Sequence, residues 1–171
     1  MRRRFARAWL VVSMVVAGPV RAVHAGPPPA DPNALAIIAS QKTIVPDASV
    51  VLLRDIFLKK VVLTPEGDEY IPVNLPPTNP LRMAFNRMVI HMDAQQNELF
   101  WDRAYFGGTS PPYVLGSERA VLRFVATENA AIGYVRACFV TPAVKVLKLI
   151  TLDVPPPART LAPCPEASGR R

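Results

Sequence analysis

Between Arg54 and Val135, short apolar runs of strand length alternate with amphipathic runs of helix length, and turn-forming residues separate them. Strands interleaved with helices cannot bury their apolar faces alone. They bury them against each other, as layers of an α/β fold around a mixed sheet. Leu35 to Ala39 (LAIIA) is continuously apolar, the pattern of a strand covered on both faces. Ile71 to Leu75 alternates as a short strand weakened by Pro72. Ala131 to Val135 and Val144 to Ile150 complete the strands. In the last of these, Lys145 and Lys148 partly break the period, as at a sheet edge.

The helices carry start and stop signals. Ser49 caps a helix running to about Leu58, with Leu52, Leu53, Ile56 and Phe57 on its apolar side. Asn79 is a favourable N-cap, and Pro80 suits the first helical position, where a missing N–H costs nothing. Leu81, Phe85, Met88, Val89 and Met92 then recur at three- and four-residue steps, predicting one buried stripe. Asp93 with Gln96 predicts a capping box, followed by Leu99, Phe100, Arg103 and Phe106 and a stop at Gly107-Gly108. Ser117 caps a last helix with Val121, Leu122, Phe124 and Val125 apolar.

The N-terminus predicts export. Arg2, Arg3, Arg4 and Arg7 precede an apolar stretch, Ala8 to Val16, broken only by Ser13, and Val23-His24-Ala25 is a small-residue cleavage site. The apolar stretch is about half the ~20 residues that span a bilayer, so a cleaved signal is expected and a stable membrane span is not. Residues 1–25 are read as signal peptide cut after Ala25, 26–33 as a Pro-rich linker, 34–153 as the domain and 154–171 as a disordered Pro-rich tail. Removing five signal arginines from 20 basic residues leaves 15 against 13 acidic ones, a formal charge of +2. The pI of 9.9 therefore mostly reflects the leader. It does not argue for nucleic-acid binding, which needs clustered basic residues on one face.

Catalytic and metal chemistry finds little support. Ser40 and Ser49 have no evident His and Asp partners, and no metal-ligand spacing surrounds His91 or the cysteines. No cofactor is expected, and the chain is read as a non-enzyme. In an oxidising compartment Cys138 and Cys164 could form a disulfide that ties back the tail; two thiols, with Cys138 on a strand, is the other reading. Trp101, Tyr105 and Phe106 are read as core rather than ligand platform. Glu98 and Asp102 are read as water-facing, and Gly107-Gly108-Thr109-Ser110 as a helix end rather than a phosphate loop.

Several pieces, in order, resemble one family: Asp55-Ile56-Phe57-Leu58, Ile71-Pro72-Val73, Pro80-Leu81-Arg82 with Phe85, Phe100-Trp101 with Phe106-Gly107, Pro111-Pro112, and Ala131-Ile132-Gly133-Tyr134-Val135. Leu35 to Ile150 is thus similar to the periplasmic phosphate-binding protein-like group, within the type 2 solute-binding superfamily that serves ABC transporters. The resemblance implies an α/β fold: a three-layer mixed sheet with helices on both faces, like one lobe of such a protein. It further implies a periplasmic location, a small oxyanion ligand such as phosphate, and a membrane permease or envelope protein as partner. Two departures stand out. The chain is long enough for one lobe only. The family's Arg-x-Asp-Gly-Ser-Gly-Thr stretch falls on Leu75 to Leu81, placing Leu75 at the Arg, Asn79 at the Ser, Pro80 at the second Gly and Leu81 at the Thr. Thr78, Asn79, Leu81 and Arg82 are the residues left to form an anion site at the helix start. The alternative has Asn79 as a plain cap and Arg82 in solvent. On that alternative, the chain is an interaction or accessory protein that kept the lobe and lost ligand binding.

Overall fold

The computed structural model describes residues 34–152 and 163–164. The leader, the linker and most of the tail lie outside the described residues. Ser49 caps α1 (Val50–Phe57), its side chain accepting from the Leu52 N–H. Asn79 caps α2 (Pro80–Phe85), with Pro80 at its first turn. Asp93 and Gln96 close a reciprocal capping box on α3 (Ala94–Phe106), and Ser117 caps α4 (Glu118–Thr127). Each helix therefore starts where the local sequence supplies a side-chain acceptor for its free N–H groups.

Five strands form one open mixed sheet: β1 (Ala34–Ser40), β2 (Ile71–Asn74), β3 (Tyr113–Val114), β4 (Ala131–Arg136) and β5 (Val144–Thr151), in the order β3-β2-β4-β1-β5. β1 runs antiparallel to β4 and β5, whereas β2 runs parallel to β4 and β3. β5 is an edge strand, as its lysines suggest. β3 has no counterpart in the sequence reading. It is two exposed residues without alternation, and only pairing to Val73 and Asn74 makes it a strand. Pro72 is tolerated inside the sheet because of its phase. Ile71 donates toward β4, to the Ala130 carbonyl at 2.9 Å. The next residue would direct its N–H to the other side, where β3 begins only opposite Val73.

The two faces of the sheet are told apart by neighbouring residues of β4. Gly133 faces α4: a Cβ placed there would lie 2.6 Å from Val121 Cγ1 and 3.2 Å from Val125 Cγ2. Tyr134 faces the other way, stacked on Phe85 of α2 (ring centroids 3.9 Å apart) and tilted against Phe57 of α1. Helices thus cover both faces, and β1 and β4 are buried along their whole length.

Three expectations are corrected. The helix from Pro80 does not run on regularly to Met92: Asn86–Ile90 is a π-helical turn, and His91 ends it in the left-handed region (φ 57°). The wider turn rotates the stripe, so Val89 and Ile90 are buried and Met88 is only half-buried. Cys138 is not on a strand but in a 3-10 turn, Ala137–Phe139, and a disulfide joins it to Cys164. Two of the three aromatic residues read as core on α3 are not: Tyr105 is exposed and Phe106 is 90% exposed, whereas Trp101 is half-buried and packs against the core; no α3 residue is fully buried.

Candidate functional site

The C-terminal end of β2 delivers Asn74 and Leu75 beneath the start of α2. Asn74, Arg82, Asn86 and Tyr134 are all buried there, forming a polar cluster in an apolar body. The Arg82 guanidinium donates from Nε to Asn86 Oδ1 at 2.9 Å and from Nη1 to the Leu75 carbonyl at 3.5 Å. Arg82 and Asn86 are one helical turn apart, so the first bond follows from helix geometry. The Tyr134 hydroxyl donates to Asn74 Oδ1 and accepts from the Leu75 N–H, both at 3.3 Å. Burial pushes the Tyr134 phenol up to about 12, even though the Arg82 charge and hydrogen bonds from Leu75 and Arg82 pull it the other way.

Arg82 is 7% exposed and hydrogen-bonds only to neutral acceptors; among the described residues no carboxylate pairs with it. The other buried guanidinium, Arg136 at the end of β4, shows the contrast. Glu118 of α4 meets it at 2.7 Å from Nη2, accepts from its Nε, and takes its backbone N–H at 2.7 Å. The Arg136 guanidinium also lies over the Phe139 ring. A buried cation with its counter-charge is a structural element. One without is an electrostatic cost that an incoming anion would relieve.

Arg82 opens on a groove of about 780 Å³ between two walls. α2 and the π turn supply Arg82, Asn86 and Arg87; α3 supplies Asn97 and Glu98; Pro77 and His91 also line it. Trp101 and Asn97 of α3 also line a small cavity with Asn74, Arg82 and Phe85.

The four residues expected to form an anion site do not converge. Thr78 is exposed on the loop. Asn79 spends its side-chain oxygen on the Leu81 N–H at 2.9 Å, and Leu81 is buried in the core. Of the four, only Arg82 lines the groove, and its placement departs from the solvent-facing alternative. The sequence did carry a signal for this. Arg82 lies three residues before Phe85 and seven before Val89, on the margin of the apolar stripe. Glu118–Arg136 and Tyr134 went unread because their partners are distant in the chain; Asn86, one turn from Arg82, is a site residue that the i, i+4 spacing could have flagged. Among the described residues, no three His, Cys, Asp or Glu side chains gather. No helix of the described residues is long and apolar enough to cross a membrane.

The sequence matches no family model and no curated protein. Solved structures show where the fold belongs. A phosphate ABC transporter substrate-binding protein from Clostridium perfringens, solved with bound phosphate, superposes with TM-score 0.55 at 19% identity, over 68% of this chain and 46% of that one. An ABC-type phosphate transport receptor from Vibrio cholerae gives 0.52 at 16% identity, over 66% and 44%. PstS from Borrelia burgdorferi gives 0.52 at 11%, over 66% and 46%. The chain has the fold of one lobe of such substrate-binding proteins, and it spans less than half of their length.

Proposed function

We propose that this chain is an exported, single-lobe relative of solute-binding proteins that holds a small oxyanion, phosphate first among them, at Arg82. The observation that carries this reading is the buried guanidinium with neutral partners only among the described residues, lining an open groove. Asn86 is placed to help, because its oxygen is engaged by Arg82 and its amide N–H groups remain as donors. Asn79 and Leu81 act in this reading as cap and core, and Thr78 is a rim residue. The similar structures, a phosphate ABC transporter substrate-binding protein and an ABC-type phosphate transport receptor, favour the same ligand class and an ABC-type permease as partner. Export would follow cleavage after Ala25, with the periplasm as the destination. The protein works by binding; none of its residues is assigned a catalytic step.

Calorimetric titration of the mature protein with phosphate and sulfate tests the reading. Binding that Arg82→Gln removes is expected. No heat at millimolar ligand, with Arg82→Gln indistinguishable from wild type, would overturn it.

A second reading has its own observation. α3 has no fully buried residue, and its exposed Leu99, Tyr105 and Phe106 would suit an envelope protein partner or a second copy. Light scattering and envelope pull-down with Phe106→Asp as control test it. A strict monomer that retains nothing, or the same proteins as the control, would sink it.

A further inference from the structure

The groove above Arg82 is larger and electrically more structured than an inorganic oxyanion requires. Its volume of about 780 Å³ falls within the roughly 300–1,000 Å³ of clefts that enclose organic ligands. Its two walls also differ in sign. The α2 side presents Arg82 and, at the surface, Arg87. The α3 side presents Asp93 and Glu98. These opposite charges do not pair with each other among the described residues. The Asp93 carboxylate is engaged by the Gln96 N–H as the α3 cap. Glu98 is exposed in the middle of the first turns of α3 and is committed to no hydrogen bond or ion pair within the described residues. A carboxylate only accepts, so its complement on a ligand is a donor, best a cationic one.

We infer that the groove takes a zwitterion: an oxyanion head at Arg82 and Asn86, and a primary amine at Glu98 across the groove. This rests on reading Arg82 as an anion site and adds the second pole. The amine of the ligand gains a charged acceptor, and Glu98 gains the partner that the described residues do not supply. Inorganic phosphate fills one pole only. An alkyl phosphate ester without an amine places apolar atoms next to an exposed carboxylate. The same chemistry occurs in free amino-alkyl phosphates and in the phosphoethanolamine head group of lipids.

The test compares four soluble probes by calorimetry at low ionic strength: inorganic phosphate, ethyl phosphate, O-phosphoethanolamine and 3-aminopropyl phosphate. One exposed charge pair predicts that at least one amine-bearing ester binds about two- to fivefold more tightly than ethyl phosphate. The preference should shrink at high salt, since exposed pairs are screened. Glu98→Gln should remove the preference. Co-sedimentation with phosphatidylethanolamine vesicles, competed by O-phosphoethanolamine, assigns the source to a lipid head group; binding of the soluble esters alone assigns it to a free solute. If ethyl phosphate and both amines bind equally to the wild type, the zwitterion inference is overturned while the Arg82 reading stands. If a preference exists but survives Glu98→Gln, the amine pole is misplaced and the inference fails. If no probe binds, the Arg82 reading itself fails, and this inference with it.

Discussion

Gly133 should be intolerant of the smallest possible substitution. Its Cβ would lie 2.6 Å from Val121 Cγ1, 2.9 Å from Val73 Cγ2 and 3.2 Å from Val125 Cγ2. Carbon atoms attract best at about 3.5–4.0 Å, so the first two contacts are about 0.6 to 1 Å too close. All three are methyls of fully buried valines. They come from α4 and β2, so relief requires moving a helix off the sheet. Overpacking of this kind costs typically about 1–3 kcal/mol, and the enclosure argues for the upper half of that range. The entropy that Gly→Ala removes from the unfolded chain returns only about 0.4–1 kcal/mol. A net loss of about 1–2 kcal/mol is expected, roughly 4–8 °C in Tm for a body of this size. Urea unfolding followed by circular dichroism measures it. Val121→Ala removes the nearest methyl and alone should destabilise by opening a cavity. Combined with Gly133→Ala it should cost less than the two losses together, by about 1 kcal/mol or more. A neutral Gly133→Ala, or strict additivity with Val121→Ala, would refute the seating of α4 on this face.

Three further outcomes follow from the buried groups. The Tyr134 phenol titrates at about 12 in the fold against about 10 unfolded. Its folded value is raised, so its contribution is intact below pH 10 and is lost as pH climbs to 12, by roughly 2–3 kcal/mol; a Tyr134→Phe variant with the same alkaline decline would count against this. Glu118→Gln removes a carboxylate that pairs with buried Arg136 in a buried ion pair and should cost about 3 kcal/mol in urea unfolding. A loss under about 1 kcal/mol would mean that the pair is more hydrated than its burial indicates. The Cys138–Cys164 disulfide spans 26 residues, for which loop-closure entropy sets an upper limit of about 3–4 kcal/mol. Scanning calorimetry with and without reductant should show a lower Tm when reduced, and identical curves would show that the bridge does not constrain the unfolded chain.

Much of the architecture is legible in the chain because its signals are short-range. Ser49, Asn79, Asp93 and Ser117 each satisfy an N–H two or three residues ahead, so a cap can be read without knowing the fold. The LAIIA run is likewise read as a strand buried on both faces and AIGYV as a strand, and both are buried along their length in the fold. β3 escaped because two exposed residues have no period of their own. The π turn escaped because Met88 and Met92 fit a regular helix as well as Ile90 fits the wider one.

The candidate site divides in the same way. Family spacing pointed to the start of α2, which is where Arg82 lies. The spacing gave equal standing to Thr78, Asn79 and Leu81, which the fold sends to the loop surface, the cap and the core. Arg82 lies on the margin of the apolar stripe, where an arginine fits a surface reading as well as a buried one; Asn97 and Trp101 of α3 line the small cavity beside it, and α3 shows no strong apolar face to announce that.

Most elements, the caps and the alternation of helix and strand were determined by the amino-acid order itself, through interactions reaching no farther than four residues. Which buried charges acquire a counter-charge was decided by the tertiary structure alone. Glu118 and Arg136 meet across 18 positions, and Leu75 and Tyr134 across 59. Chain topology brought a carboxylate to Arg136 and none of the described residues' carboxylates to Arg82. Local preferences cannot encode that difference, because the cost of a buried charge depends on everything folded around it.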